Sequence, residues 1–295
     1  MIRPRRTSNS QDPQLAAEQL SARYPALLSE AKRISANVLH GAHGRRKRGS
    51  GETFWEFRQA RAEDPASAID WRRSARSDTL FVRETEWEAA NTVLLWRDAS
   101  AGMNWRSSNT LPSKQDRAAV LLTALSIALL KGGERCAVPG VSEQPGTGIG
   151  AQNRIARDII TGTSGAHSLR PSGTRQYAHL VIASDFLEGV DVWQQRLEAI
   201  QNAGISVILL HIADPAEEQF PYTGHTLFAD VSGPERIDLG RAQSVQAQYK
   251  KRFHQARQDI QILARRFGWL FFSHRTDQHP TKVFLALYQG LGGTG

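Results

Sequence analysis

Two short stretches hold the residue types that could do chemistry together. Asp98-x-Ser100 closes the apolar run Thr92-Val93-Leu94-Leu95-Trp96, and Ser184-Asp185 closes His179-Leu180-Val181-Ile182-Ala183. An apolar run that stops at a carboxylate and small polar residues reads as a buried parallel strand emptying into a loop. In open α/β sheets the ligand crevice lies beyond the carboxyl ends of the strands, so two such endings can bring two carboxylates to one sheet edge. The competing role for Asp and Ser after a strand is that of turn former or helix cap. On either reading both aspartates lie in loops, and removing either one is expected to leave the fold largely intact.

The elements that position these residues follow from periodicity. Ser113-x-x-Asp116 is a capping signal that opens a buried helix over 113–131, and a short strand follows at Arg135–Val138. Pro139–Gly150 reads as a loop. Its Gly146-Thr147-Gly148-Ile149-Gly150 has the wrong glycine spacing for a dinucleotide fingerprint. Further helices are expected near 151–160, at 189–203, in the long stretch closed by Gly268, and at 281–291. Strands are expected at Ile205–His211 and Leu270–Phe272, a Gly/Ser segment before Thr174, and a small excursion over Phe220–Leu239. Alternating strands and helices from 92 to 291 imply a doubly wound parallel sheet of Rossmann type, with Asp98 and Asp185 on either side of its topological switch.

Upstream of this α/β domain (91–291) the chain divides into a tail with two short helices (1–40), broken at Pro25, and an Arg/Trp-rich short-strand segment (41–90) packing on the main domain. Residues 1–12 read as disordered. The densest basic run, Arg45-Arg46-Lys47-Arg48, reads as a solvated loop or a phosphate-contacting patch. Trp71 and Arg76 are expected to fasten this amino-terminal segment onto the sheet rather than touch a ligand, with Trp71 buried.

The chain has 295 residues, 40% of them hydrophobic, which is enough for a substantial core. Its 37 Lys and Arg against 29 Asp and Glu leave a formal charge of +8, which favours acidic partners. Cys136 is the single cysteine, so no intramolecular disulfide forms and a reducing compartment is the simplest assignment. The basic amino terminus lacks the apolar core of a secretory signal, and the longest charge-free apolar run, Ala118–Leu130, is too short to span a bilayer; the expectation is cytoplasmic. There is no Gly-x-Ser-x-Gly elbow, no Walker lysine in a glycine loop and no His-Glu-x-x-His, so the expectation is a protein that is not an enzyme.

Several motifs together resemble the domain-of-unknown-function 58 family over about residues 36–290. They are Gly49-x-Gly51-x-x-Phe54-x-x-x-Arg58, Ile69-Asp70-Trp71-Arg72, Ser74-Ala75-Arg76, Leu80-x-Val82-Arg83, Asp98-x-Ser100, Ser184-Asp185-Phe186-Leu187 and His211-Ile212-Ala213-Asp214-Pro215-Ala216-Glu217. The resemblance implies a von Willebrand factor A-like domain that partners a MoxR-type AAA+ ATPase in a chaperone-like or complex-maturation role. It also implies a metal-ion-dependent adhesion site, in which Asp98, Ser100 and Asp185 hold Mg²⁺ or Mn²⁺ and leave a position for a partner's carboxylate. The family pattern Asp-x-Ser-x-Ser has Gly102 in its last place here, and Thr147 is the candidate for the threonine from a third loop. The alternatives are nucleic-acid binding through Arg45–Arg48 and Arg72, Arg73 and Arg76, and metal-dependent hydrolysis at the same aspartates.

Overall fold

The computed structural model describes residues 13–42, 53–61, 64, 66, 69–75, 79–86, 91–162, 169, 178–230 and 234–292. The expected disordered tail, the Arg45–Arg48 run, Arg76 and nearly all of the Gly/Ser segment before Thr174 lie outside these residues. Two compact units divide the chain: the amino-terminal helix with everything from Asn91 onward, and the stretch Arg45–Ala90.

The larger unit is built on a six-stranded sheet. Its strands are β3 (Thr92–Arg97), β4 (Arg135–Val138), β5 (Ser142–Gly146), β6 (Ala178–Ser184), β7 (Ser206–Ala213) and β10 (Leu270–Arg275), in the order β5-β4-β3-β6-β7-β10. All neighbours pair in parallel except β5, which runs antiparallel to β4. From β3 the chain builds outward through β4 to one side and then through β6, β7 and β10 to the other, so the switch lies between β3 and β6. This is the doubly wound, mostly parallel α/β architecture expected from the sequence.

Side chains alternate across the sheet with the strand period of two. Val93, Leu95, Val181, Ala183, Leu210 and Ile212 join one core layer. It is shared with α1 (Pro13–Ala42), α3 (Lys114–Lys131), α4 (Gly148–Thr161) and α8 (Thr281–Gly292). Leu94, Trp96, Leu180, Ile182 and Leu209 join the other, under α5 (Val190–Asn202) and α7 (Gln246–Arg266). α3 is the central helix, buried from Ala118 to Leu130 without a polar face, as its sequence indicates.

Two expectations are corrected and a third is made specific. α1 is one helix that continues through Pro25, because Tyr24, Leu27, Ala31 and Ile34 all pack against the same core layer and offset the proline's cost of about 3 kcal/mol. Within Pro139–Gly150 lies β5, a polar edge strand carrying Pro145, a residue that edge strands tolerate. The excursion at 220–239 contains an antiparallel hairpin, β8 (Thr226–Ala229) with β9 (Arg236–Leu239), preceded by the short α6 (Pro215–Gln219).

In the smaller unit β1 (Thr53–Gln59) pairs antiparallel with β2 (Phe81–Glu86). Asp70 caps the four-residue α2 (Trp71–Ser74) by accepting from the Arg72 and Arg73 amides. The Ile-Asp-Trp motif is thus a cap and turn. Trp71 is 60% exposed, so the expectation of a buried anchor is overturned.

Candidate functional site

Three adjacent parallel strands each end in an aspartate: β3 in Asp98, β6 in Asp185 and β7 in Asp214. The register places Arg97 opposite Ala183 and Ser184 opposite His211, so the turns after β3 and β6 leave the sheet side by side while β7 runs on to Ala213 before its own turn. Asp98 and Asp185 flank the switch point, as expected, and the charge of Asp185 acts on Asp98. Ser100 joins them in the same crevice, with Gly102 beside Asp185. Thr147 does not. It follows Gly146, which pairs with Cys136 near the start of β4, at the opposite end of the sheet from Asp98.

Sequence reasoning missed the residue at the centre of this crevice. Lys114, the first residue of α3, is fully buried, and its ammonium lies 2.8 Å from Asp185 Oδ2 and 2.5 Å from Glu217 Oε1. Helix N-termini favour anions, so a lysine at the first position runs against the macrodipole. That anomaly was the available signal, and the two carboxylates explain it. Glu217 was visible only as the fourth residue of Asp214-Pro-x-Glu217, a capping box in which Asp214 accepts the Ala216 amide and Glu217 accepts the Asp214 amide.

Each of the four carboxylates is engaged at both oxygens. Asp98 accepts the Ser100 amide at 2.8 Å on Oδ1 and the Ser184 hydroxyl at 2.6 Å on Oδ2. Asp185 accepts the Leu187 amide at 3.2 Å on Oδ1 and Lys114 on Oδ2. Asp214 accepts the Ala216 amide at 2.8 Å and the Ser107 amide at 2.9 Å. Glu217 takes Lys114 on Oε1 and the Asp214 amide on Oε2. Every one of these oxygens therefore has a donor of its own. Phe186, held at a φ of +56°, donates its amide to the Ser184 hydroxyl and sets its ring edge-on to Trp193, which locks the turn after β6.

Burial and charge compete at each group. Burial pushes the Asp98 carboxyl above its ordinary value, against the hydrogen bonds from Ser184 and Ser100. Burial alone would lower the Lys114 ammonium, but the charges of Asp185 and Glu217 outweigh it and hold the group above the usual lysine range. Glu217 is raised, since burial costs it more than its share of Lys114 returns. An ammonium beside a carboxylate at this separation gains on the order of 5 kcal/mol at an effective dielectric of about 20. That is comparable with the several kcal/mol each ion loses on leaving water, so the cluster holds only while all its members are present.

Asp98 and Asp185 are accordingly 7% and 6% exposed and bonded, so they are buried parts of the sheet edge rather than side chains of open loops. The implied Mg²⁺ or Mn²⁺ also fails to fit. Asp185 Oδ2 already faces an ammonium, both Asp98 oxygens accept hydrogen bonds, and Gly102 and Thr147 supply no hydroxyl. Among the described residues no group of three or more His, Cys, Asp or Glu is arranged to hold a metal ion.

Beside the crevice runs a groove of about 800 Å³. Ser100, Gly102, Lys114, Asp185 and Glu217 form one end, and the other is lined by an aromatic cluster. Phe220 stacks on Phe228 at 5.6 Å, meets Tyr222 edge-on at 5.2 Å and approaches Tyr249 at 4.7 Å. Leu187 and Ile237, on the lining, are 54% and 61% exposed.

Among known proteins, the chain is 25% identical over 285 residues to two uncharacterized proteins, Rv1480 of Mycobacterium tuberculosis H37Rv and Mb1516 of Mycobacterium bovis. The match covers 90% of this chain and 86% of each of them. Two solved structures are similar at low scores. One is an aerotolerance-related membrane protein of Bacteroides fragilis (TM-score 0.38, 16% identity, 70% of this chain and 100% of that one). The other is the conserved hypothetical protein BatB of Bacteroides thetaiotaomicron (TM-score 0.36, 13% identity, 69% and 98%). Among the described residues no helix is long and apolar enough to cross a membrane. Residues 56–259, more than half of the chain, match the protein family of unknown function DUF58, and the chain belongs to that family.

Proposed function

We propose that this chain is a non-enzymatic protein-interaction module that docks a partner, a MoxR-type AAA+ ATPase, over the groove at the carboxyl edge of its sheet. The observation that carries the reading is the groove itself: an aromatic wall, a polar end, and the exposed apolar side chains Leu187 and Ile237 on its lining. Apolar side chains gathered with aromatic rings along one groove are a common mark of a surface that another molecule covers. The ATPase as partner comes from the family resemblance. The carboxylates favour a binding role over hydrolysis, because both oxygens of Asp98 and of Asp185 are already engaged by the chain's own donors.

Partner chemistry divides by region. The groove is lined by Asp185, Glu188, Glu217 and Asp230 against Lys114 and Arg252, so it suits an apolar segment bearing a cation or amide. The acidic-partner expectation fits instead the exposed Lys251, Arg252, Arg265 and Arg266 of α7. The test is the affinity of the full chain for the MoxR-type ATPase of the same organism. Leu187→Asp and Ile237→Asp should each weaken it at least tenfold, about 1.4 kcal/mol, with little change in melting temperature. Unchanged affinity in both folded variants would remove the groove from the interface.

A further inference from the structure

We propose that the ammonium of Lys114 is a built-in cation that stands in for a divalent metal ion at this crevice, so that the crevice is complete without metal. The inference deepens the docking reading, because it makes partner engagement independent of divalent ions. Its test uses the protein alone, so its failure and the failure of the docking reading are separate results.

Four observations converge. Lys114 Nζ is placed between Asp185 Oδ2 and Glu217 Oε1, and it comes from the first turn of a helix with no polar face, so it cannot swing out without leaving both carboxylates buried and unpaired. Glu217 in turn is fixed by its bond to the Asp214 amide, so the second counter-charge belongs to the turn after β7 and is as rigid as the first. Gly102 occupies the place where the adhesion-site pattern has its second serine, and a Cβ built there would come within 3.1 Å of the oxygen that holds Lys114. The loss of a hydroxyl and the gain of an ammonium therefore meet at one atom, Asp185 Oδ2. Finally, the threonine candidate, Thr147, lies at the far end of the sheet.

A divalent ion and an ammonium cannot share this place. A cation at Asp185 Oδ2 would sit within a few ångströms of the buried Nζ, where like charges repel strongly. Lys114 would have to be expelled, and the tether of α3 opposes that. The crevice is charged by its own sequence. A partner then meets a fixed surface of Ser100, Gly102 and the aromatic wall rather than an open coordination position.

The experiment is a thermal melt of the full chain in EDTA and in millimolar MnCl₂ or MgCl₂, with Mn²⁺ binding read independently by electron paramagnetic resonance. Wild type should melt at the same temperature in all three and leave Mn²⁺ free. Lys114→Ala should melt lower in EDTA and recover by several degrees in Mn²⁺, since removing the ammonium leaves Asp185 and Glu217 facing an open cation position. Wild-type binding of Mn²⁺ that Asp185→Asn abolishes would overturn the proposal, as would a folded Lys114→Ala that ignores Mn²⁺. Should Lys114→Ala fail to fold, the double variant Lys114→Ala, Glu217→Gln removes the ammonium together with one of its two counter-charges and is read in the same way.

Discussion

Gly102 shows how closely the crevice is fitted. Its φ is not in the left-handed region, so an alanine there carries no backbone penalty, but its Cβ would press on Asp185 Oδ2 at 3.1 Å. That oxygen is held by Lys114 and cannot retreat without lengthening a buried ion pair. Gly102→Ala is therefore expected to cost about 1 kcal/mol by overpacking. A urea titration against wild type measures it, and equal midpoints would mean that the Asp185 turn yields freely. The two aspartates were legible in the sequence because a carboxylate after an apolar run has few reasons to be there. Lys114 was not, because a lysine beside a capping serine reads as a solvated side chain until the chain brings Asp185 and Glu217 to it from 71 and 103 residues away.

At the scale of elements, burial separates two residues that sequence alone ranks in the wrong order. Trp71 looks like an anchor, yet it is 60% exposed, and Trp71→Ala should change stability by no more than about 0.5 kcal/mol. Ile34 sits in a helix that contains a proline, yet it is 1% exposed within the layer shared with α3, and Ile34→Ala should cost about 2 to 5 kcal/mol. Chemical denaturation of the two variants side by side decides the matter; a larger loss at Trp71 would contradict this packing. The difference has a physical cause. Periodicity and caps located α3, α5, α7, α8 and most strands of the parallel sheet because each repeats its apolar spacing or ends in a specific residue. β5 has no apolar face to repeat, and whether Pro25 breaks α1 depends on contacts with α3 that no local window contains.

Over the whole molecule, acid should act first through two histidines rather than through the crevice. Burial pushes His211 down to about 4, helped by Arg257 and Lys114 and opposed by Asp185 and Glu218. Burial likewise pushes His274 down to about 4, helped by Arg117 and opposed by Asp277. His211 stacks between Phe186 and Phe271 and shares a hydrogen bond with the Ser273 hydroxyl at 2.9 Å, which places a neutral ring at the heart of the β7–β10 layer. A base whose folded value lies below its unfolded value of about 6.5 binds fewer protons when folded, so stability is complete above pH 6.5 and drains as pH falls toward 4. Between pH 7 and pH 5 each histidine should remove about 2 kcal/mol from the unfolding free energy. Asp98 and Glu217 act in the opposite sense. Their carboxyls are raised on folding, so protonating them relieves a burial cost and returns part of the loss in acid. Replacing one histidine separates the two effects. His274 Nε2 meets no hydrogen-bond partner, so His274→Phe forfeits no bond there and should flatten the fall in stability between pH 7 and pH 5 by about 2 kcal/mol. Urea unfolding at the two pH values measures both proteins, and an identical fall in wild type and variant would mean that His274 takes up its proton as easily in the folded chain as in the unfolded one.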